Sequence, residues 1–132
     1  MQKEGIHYLD FQIDQNSYAI DISYVKEVLL YPEVTHLHHT HECIEGIFIL
    51  HDQVITVIDL PGLFHLKEHE NTKNDMVILS KVSNSYLALH VHNVAGIINA
   101  DESRIKKDIL HWNGKEFKII KPDEIVKNLC GK

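Results

Sequence analysis

Apolar and polar residues alternate from residue 7 to 13, HYLDFQI. A period of two predicts a strand with one buried face. Asp14, Gln15, Asn16 and Ser17 are turn formers, and residues 18–22, YAIDI, return as a second strand. Ser23 is placed to cap one helical turn through Tyr24, Val25 and Lys26. Residues 27–30 are again extended, and Pro32 breaks them. The most apolar stretch is residues 45–64, EGIFILHDQVITVIDLPGLF. Its two runs are joined at His51 and Asp52, which predicts a hairpin. The runs alternate little, so this hairpin is expected to be covered on both faces, in the middle of the fold. Asp59 should cap a short helix opening at Pro61, and residues 67–75, KEHENTKND, are the most polar stretch and read as an exposed loop.

Two further strands are expected at 76–82 and 86–91, joined by a turn at Ser83, Asn84 and Ser85. Residues 94–98 extend again, and 99–108 read as a charged loop. Asn113-Gly114 is the strongest short hairpin signal in the chain. Its returning strand is 117–120, and Pro122 opens a final helix with Ile125, Val126 and Leu129 on its apolar side.

The pattern repeats. Residues 18–29, YAIDISYVKEVL, align without a gap with 87–98, LALHVHNVAGII, at an offset of 69 (87 − 18). The turn at Asp14–Asn16 then meets Ser83–Ser85, and residues 53–64 resemble 115–126 more loosely. The expected organisation is one domain over 1–132 with pseudo-repeated halves at roughly 7–66 and 76–129. Each half would be a small β-barrel unable to stand alone, the two sharing a core.

Composition narrows the function classes. Of 132 residues 44% are hydrophobic, enough for a core. No apolar run approaches the ~20 residues that span a bilayer, and the N-terminus lacks the apolar region of a signal peptide. A cytoplasmic protein without direct membrane insertion is expected. The formal charge of −6 argues against nucleic acid as a partner. Cys43 and Cys130 lack CxxC spacing and read as reduced thiols. Full protonation of the eleven histidines would take the charge from −6 to +5 (−6 + 11), so behaviour near pH ~6.5 should depend on them.

Several histidines invite a metal reading. His36, His38, His39, His41 and Cys43 offer imidazole and thiolate ligands on one segment, but in no established zinc spacing. His65 and His69 would share a face only if a helix reached them. His90 and His92 share one face of a strand and are expected to be exposed. No phosphate loop, HExxH or GxSxG occurs, so no catalytic residue or cofactor is expected.

The residues Tyr18-Ala19-Ile20-Asp21-Ile22, Val25-x-Glu27-Val28, Tyr31, Val34-Thr35, Glu42, Ile44-x-Gly46-Ile47, Leu50 and Val54-Ile55-x-Val57-Ile58-Asp59-Leu60 follow one another in an order that resembles the CheW-like domain family of bacterial chemotaxis. The resemblance is good over about residues 8–98. It implies a mainly β fold of two five-stranded SH3-like barrels with short helices, and a non-enzymatic adaptor. The implied partners are the regulatory domain of a chemotaxis histidine kinase, a chemoreceptor cytoplasmic tip, or both. The implied partner-binding residues are Val25, Glu27, Val28, His51 and Asp52. Family members carry Asn-Leu-Arg-Gly at the central turn, with the arginine near a carboxylate matching Glu27. Here the turn is Ile49-Leu50-His51-Asp52, and residues 36–41 replace a basic, Pro-bracketed segment. A weaker Glu27–His51 pair, present when the imidazole is protonated, is therefore expected. The departures leave open a divergent decoy, an adaptor in another signalling system, or a histidine-cluster metal or pH sensor.

Overall fold

A computed structural model describes residues 5–37, 43–64 and 74–130, with side chains as far as Lys127. Strands dominate. In chain order they are β1 (Ile6–Ile13), β2 (Asn16–Asp21), β3 (Val25–Leu30), β4 (Thr35–His36), β5 (Ile44–Leu50) and β6 (Gln53–Asp59). After the short helix α1 (Leu60–Leu63) come β7 (Met76–Val82), β8 (Ser85–Val91), β9 (Asn93–Ala100), β10 (Ile105–Lys106), β11 (Ile109–Trp112) and β12 (Lys115–Ile120). Helix α2 (Pro122–Cys130) closes the described chain, with Pro122 in its first turn.

The strands form two six-stranded sheets, ordered β10-β11-β12-β2-β1-β9 and β3-β7-β8-β6-β5-β4. Each has five longer strands and a two-residue strand at one edge. The second sheet is one continuous stretch of chain, β3 to β8, and the first is built from the two flanking stretches, β1–β2 and β9–β12. The β1–β2 hairpin joins the sheet built from the later strands, and β7–β8 joins the sheet built from the earlier ones. The connectivities match: β2 runs parallel to β12 as β8 runs parallel to β6, and β1 pairs β9 as β7 pairs β3. At the offset of 69, Ala19 and Ala88 occupy corresponding places and both are fully buried.

This exchange explains the core. Leu9, Phe11, Ile13, Tyr18, Ile20 and Ile120 of the first sheet pack with Ile58, Ile78, Leu87, Leu89 and Val91 of the second, and Leu60 of α1 and Ile125 of α2 join them. Residues one step along the same strands turn the other way. Tyr8, Ala19, Ile98, Leu110 and Phe117 form a smaller cluster in the first sheet. Phe48, Ile55, Val57, Val77, Leu79 and Ala88 form its counterpart in the second. An aromatic stack, Phe11 on Tyr18 at 5.5 Å and Tyr18 on Phe64 at 5.3 Å between ring centres, runs through the shared core.

Four local expectations are corrected. The helical turn Ile22–Tyr24 is capped by Asp21 and not by Ser23, because the Asp21 carboxylate reaches the Ser23 N–H at 2.9 Å. The stretch 99–108 is not all loop. It contains a helical turn, Glu102–Arg104, and strand β10, whose pairing with β11 no local pattern announces. The β5–β6 hairpin is not covered on both faces, since Ile49 and Val54, paired across its strands, are 71% and 62% exposed. A continuous apolar run cannot distinguish a strand buried on both faces from one that leaves apolar side chains in solvent.

The fourth correction concerns charge. His90 is buried at 6% exposure, and Asp75, from the stretch read as an exposed loop, is buried at 2%. His90 Nδ1 lies 2.8 Å from Glu45 Oε1, and Nε2 lies 2.7 Å from Asp75 Oδ2. With both carboxylates ionised, only the imidazolium can donate to both at once. Tyr31 covers this group, its ring centre 4.6 Å from that of His90, and its N–H donates to the Asp75 carbonyl at 2.9 Å. Asp59, beside His90 in the parallel β6–β8 register, and His92, 6.2 Å away between ring centres, complete the surroundings.

Burial works against the His90 charge, but the Glu45 and Asp75 carboxylates outweigh it and hold the imidazole above its ordinary value of 6.5. The stabilisation is therefore complete below about pH 6.5, where the unfolded chain is also protonated, and is lost as pH rises through the folded value. Urea unfolding in EDTA should show wild-type stability falling from pH 6 to pH 9. His90→Gln should cost about 3–5 kcal/mol at pH 6, since it removes the buried cation that Glu45 and Asp75 both face. Equal stabilities of the two proteins at pH 6 would refute the buried ion pair.

Candidate functional site: the β3 edge and the β5–β6 tip

Strand β3 is the outer strand of its sheet and pairs only β7. A bulge between Val25 and Glu27 re-aims its side chains. Val25 and Val28 are half-buried against the shared core, so each presents only part of its surface. Tyr24 also packs there, and its hydroxyl lies 3.4 Å from Asp123 of α2. Glu27 turns outward toward the tip of the β5–β6 hairpin.

That tip is a two-residue turn. His51 and Asp52 have φ of 50° and 62°, the left-handed pair of a type I′ hairpin, whose twist matches that of the strands. Asn113-Gly114 makes the equivalent turn between β11 and β12, with φ of 53° and 76°. A side chain at the second position adds strain that glycine avoids. His51 Nε2 stands 3.5 Å from Glu27 Oε1, with side chains 75% and 41% exposed. The expected pair is therefore formed across β3 and the hairpin tip. At this exposure it contributes about 0–1 kcal/mol.

Beside the pair lies a groove of about 280 Å³ lined by Lys26, Glu27, Leu50, His51, Gln53, Ile55, Leu79 and Tyr86. Lys81 rests over the Tyr86 ring, 5.6 Å from its centre. Ile49 and Val54, one step from Leu50 and Ile55, face the other way into solvent. The tip thus offers a charged pair and groove on one face and an apolar pair on the other. The sequence reading missed Ile49 and Val54. Their adjacency to the turn was a usable signal, masked by the expectation that the whole run is buried. A larger groove of about 650 Å³, near the β1–β2 turn and lined by Lys107, Lys115 and Lys118 among others, shares none of these residues.

The other candidates fall elsewhere. His36 is exposed and its Nδ1 lies 3.0 Å from the Glu45 carbonyl oxygen, while Cys43 is buried. His38, His39, His41, His65 and His69 lie outside the described residues. Asp59 caps α1 as expected, accepting from Gly62 N–H at 3.1 Å. Among the described residues no helix is long and apolar enough to cross a membrane.

The CheW-like domain family matches residues 7–121. The chain belongs to the CheW-like domain family. The chemotaxis protein CheW of Treponema pallidum is 30% identical over 108 residues, 78% of this chain and 63% of that protein. The chemotaxis protein CheW of Klebsiella aerogenes is 26% identical over 102 residues, 77% of this chain and 61% of that protein. The aligned region thus spans less than two thirds of either CheW. The crystal structure of the scaffolding protein CheW from Thermoanaerobacter tengcongensis superposes with a TM-score of 0.83 at 27% identity, covering 89% of both chains. That likeness accords with the mainly β, two-sheet architecture.

The turn geometry of this CheW-like chain generates a stability prediction. Asp52→Gly relieves the side-chain strain at φ 62° and should stabilise the fold by about 0.5–1 kcal/mol in urea unfolding. Asp52→Val, with a β-branched side chain at the same φ, should destabilise it. A destabilising Asp52→Gly would show that Asp52 makes a contact worth more than the strain.

Proposed function

We propose that this protein is a non-enzymatic signalling adaptor that links a chemotaxis histidine kinase's regulatory domain to a chemoreceptor cytoplasmic tip. The carrying observation is the Glu27–His51 pair, which joins the β3 edge to the hairpin tip beside an open groove. This region suits protein recognition, with an outer strand and an outward carboxylate on one face and the apolar pair Ile49–Val54 on the other. Val25, Glu27, Val28, His51 and Asp52 are its contact residues, with Val25 and Val28 contributing their partly exposed edges. Membership of the CheW-like family, and the scaffolding role in the name of the Thermoanaerobacter protein, support this reading. The adaptor works in the cytoplasm, and the recognition face needs no cofactor.

A second reading has its own observation. His51 carries charge toward Glu27 only when protonated, whereas an arginine would always do so. A divergent member with a weakened contact would act as a decoy, or as an adaptor in another signalling system.

Pull-down from the native cytosol with wild type, His51→Arg and Glu27→Lys separates these readings. For a coupling adaptor, wild type recovers both kinase and receptor. His51→Arg does so at least as well, and Glu27→Lys loses about tenfold, equivalent to ~1.4 kcal/mol of binding. Recovery by His51→Arg alone identifies a decoy. Recovery of neither partner by any form overturns the chemotaxis role.

A further inference from the structure

Glu45, Asp59 and His90 each offer one ligand atom, and the three atoms lie within 4.8 Å of one another. We propose that these residues bind one divalent transition-metal ion of the Zn²⁺ type, with Asp75 orienting His90 from behind. The site uses none of the histidines at 36–41 and none of the hairpin-tip residues.

The backbone builds the site from three adjacent strands. Asp59 and His90 are register partners in the parallel β6–β8 pair. Glu45 sits in the bulge between Ile44 and Gly46, which turns its side chain off the regular alternation. Gly46 permits that bulge, because a Cβ there would lie 2.3 Å from the Thr35 carbonyl oxygen. One imidazole and two carboxylates are suitable zinc ligands, and a fourth position remains for water. Zinc ligands sit about 2.0–2.2 Å from the metal and hence about 3.4 Å apart in a tetrahedron. His90 Nδ1 and Glu45 Oε1, at 2.8 Å, are already inside that spacing. Metal entry in place of the proton opens this edge and shortens the widest one, both by rotations of the acidic side chains.

Two independent features favour a cation over a proton alone. First, Asp75 holds Nε2 at 2.7 Å. A metal-ligating histidine typically donates its other nitrogen to such an acceptor, which fixes the ring and strengthens it as a ligand. Second, one proton on Nδ1 can serve Glu45 but cannot also serve Asp59. No other cationic side chain among the described residues pairs with either carboxylate. The corresponding place in the other sheet is balanced differently. There Lys121 stands where Asp59 does (121 − 59 = 62, the offset of β12 on β6) and is paired with Asp108 at 2.8 Å. Metal binding would displace the Nδ1 proton to solvent and leave a neutral imidazole bound through that nitrogen.

The test uses the full chain purified without a metal-affinity column. Zn²⁺ is titrated calorimetrically into wild type, Asp59→Asn, Glu45→Gln and Asp75→Asn, and the His90 ring nitrogens are followed by NMR. Asn at 59 still caps α1, and Gln at 45 leaves the cap untouched, so each variant checks the other for folding. Wild type should take up one equivalent more than Asp59→Asn or Glu45→Gln, and its His90 Nδ1 resonance should move on loading. Asp75→Asn should keep the stoichiometry and lose about 10–100-fold in affinity. The same zinc uptake and affinity in wild type, Asp59→Asn and Glu45→Gln would assign all binding to ligands outside this cluster and overturn the proposal. An unmoved His90 Nδ1 at saturating zinc would do the same.

Discussion

Everything in this fold depends on one constraint: neither sheet can bury both its faces alone. Leu9, Phe11 and Ile13 of β1 must meet Ile78 of β7 and Leu87, Leu89 and Val91 of β8. The opposite faces of the same strands fill the small clusters around Phe117 and Val57. Placing the β1–β2 hairpin with the late strands and the β7–β8 hairpin with the early ones locks this arrangement, because the first sheet joins strands from before and after the run that forms the second. Separating the sheets would expose a core of large apolar side chains, each contributing roughly 1.5–3 kcal/mol by burial. The β3 edge and the hairpin tip can then be polar and open, because stability is secured elsewhere.

That division of labour explains why the central turn tolerates unusual residues. His51 and Asp52 lie at the end of a hairpin whose inward residues, Phe48, Ile55 and Val57, are buried in the second sheet's own cluster. Replacing an Arg-Gly turn by His-Asp adds strain at Asp52 and makes the Glu27 contact conditional. Each change is small beside the burial beneath it. Evolution of the tip is therefore free to follow the partner, within the twist that a type I′ turn imposes.

Much of the fold was legible in the sequence because its signals are local. Period-two alternation places β1, β2, β7 and β8. Asn113-Gly114 places the β11–β12 turn, and Pro122 the start of α2. The Glu27–His51 pair came through family resemblance, and its 3.5 Å separation accords with that expectation. What the sequence concealed was long-range. Strand β10 is two residues long and exists only through its pairing with β11. Ile49 and Val54 read as core because hydrophobicity does not say which sheet covers a face. His90 read as an exposed strand residue because Glu45 and Asp75, 45 and 15 residues away in sequence, meet it only through the sheet topology.

The buried charges and the open turn occupy opposite ends of one hairpin. Glu45 and Asp59 lie at the base of β5 and β6, and His51 and Asp52 at their tip. Five residues at ~3.4 Å each separate Glu45 from the last residue of β5, about 17 Å. The base is fixed to β8 and to the chain entering β7 by charge-assisted hydrogen bonds of 2.8 and 2.7 Å in a water-poor setting. The tip has an exposed 3.5 Å pair. Between them, β6 is paired to β8 from Thr56 to Asp59, and Phe48, Ile55 and Val57 are packed into the second sheet's cluster. The hairpin is thus anchored by charge at its base and by apolar burial along its length, and substitutions at His51 or Asp52 disturb neither.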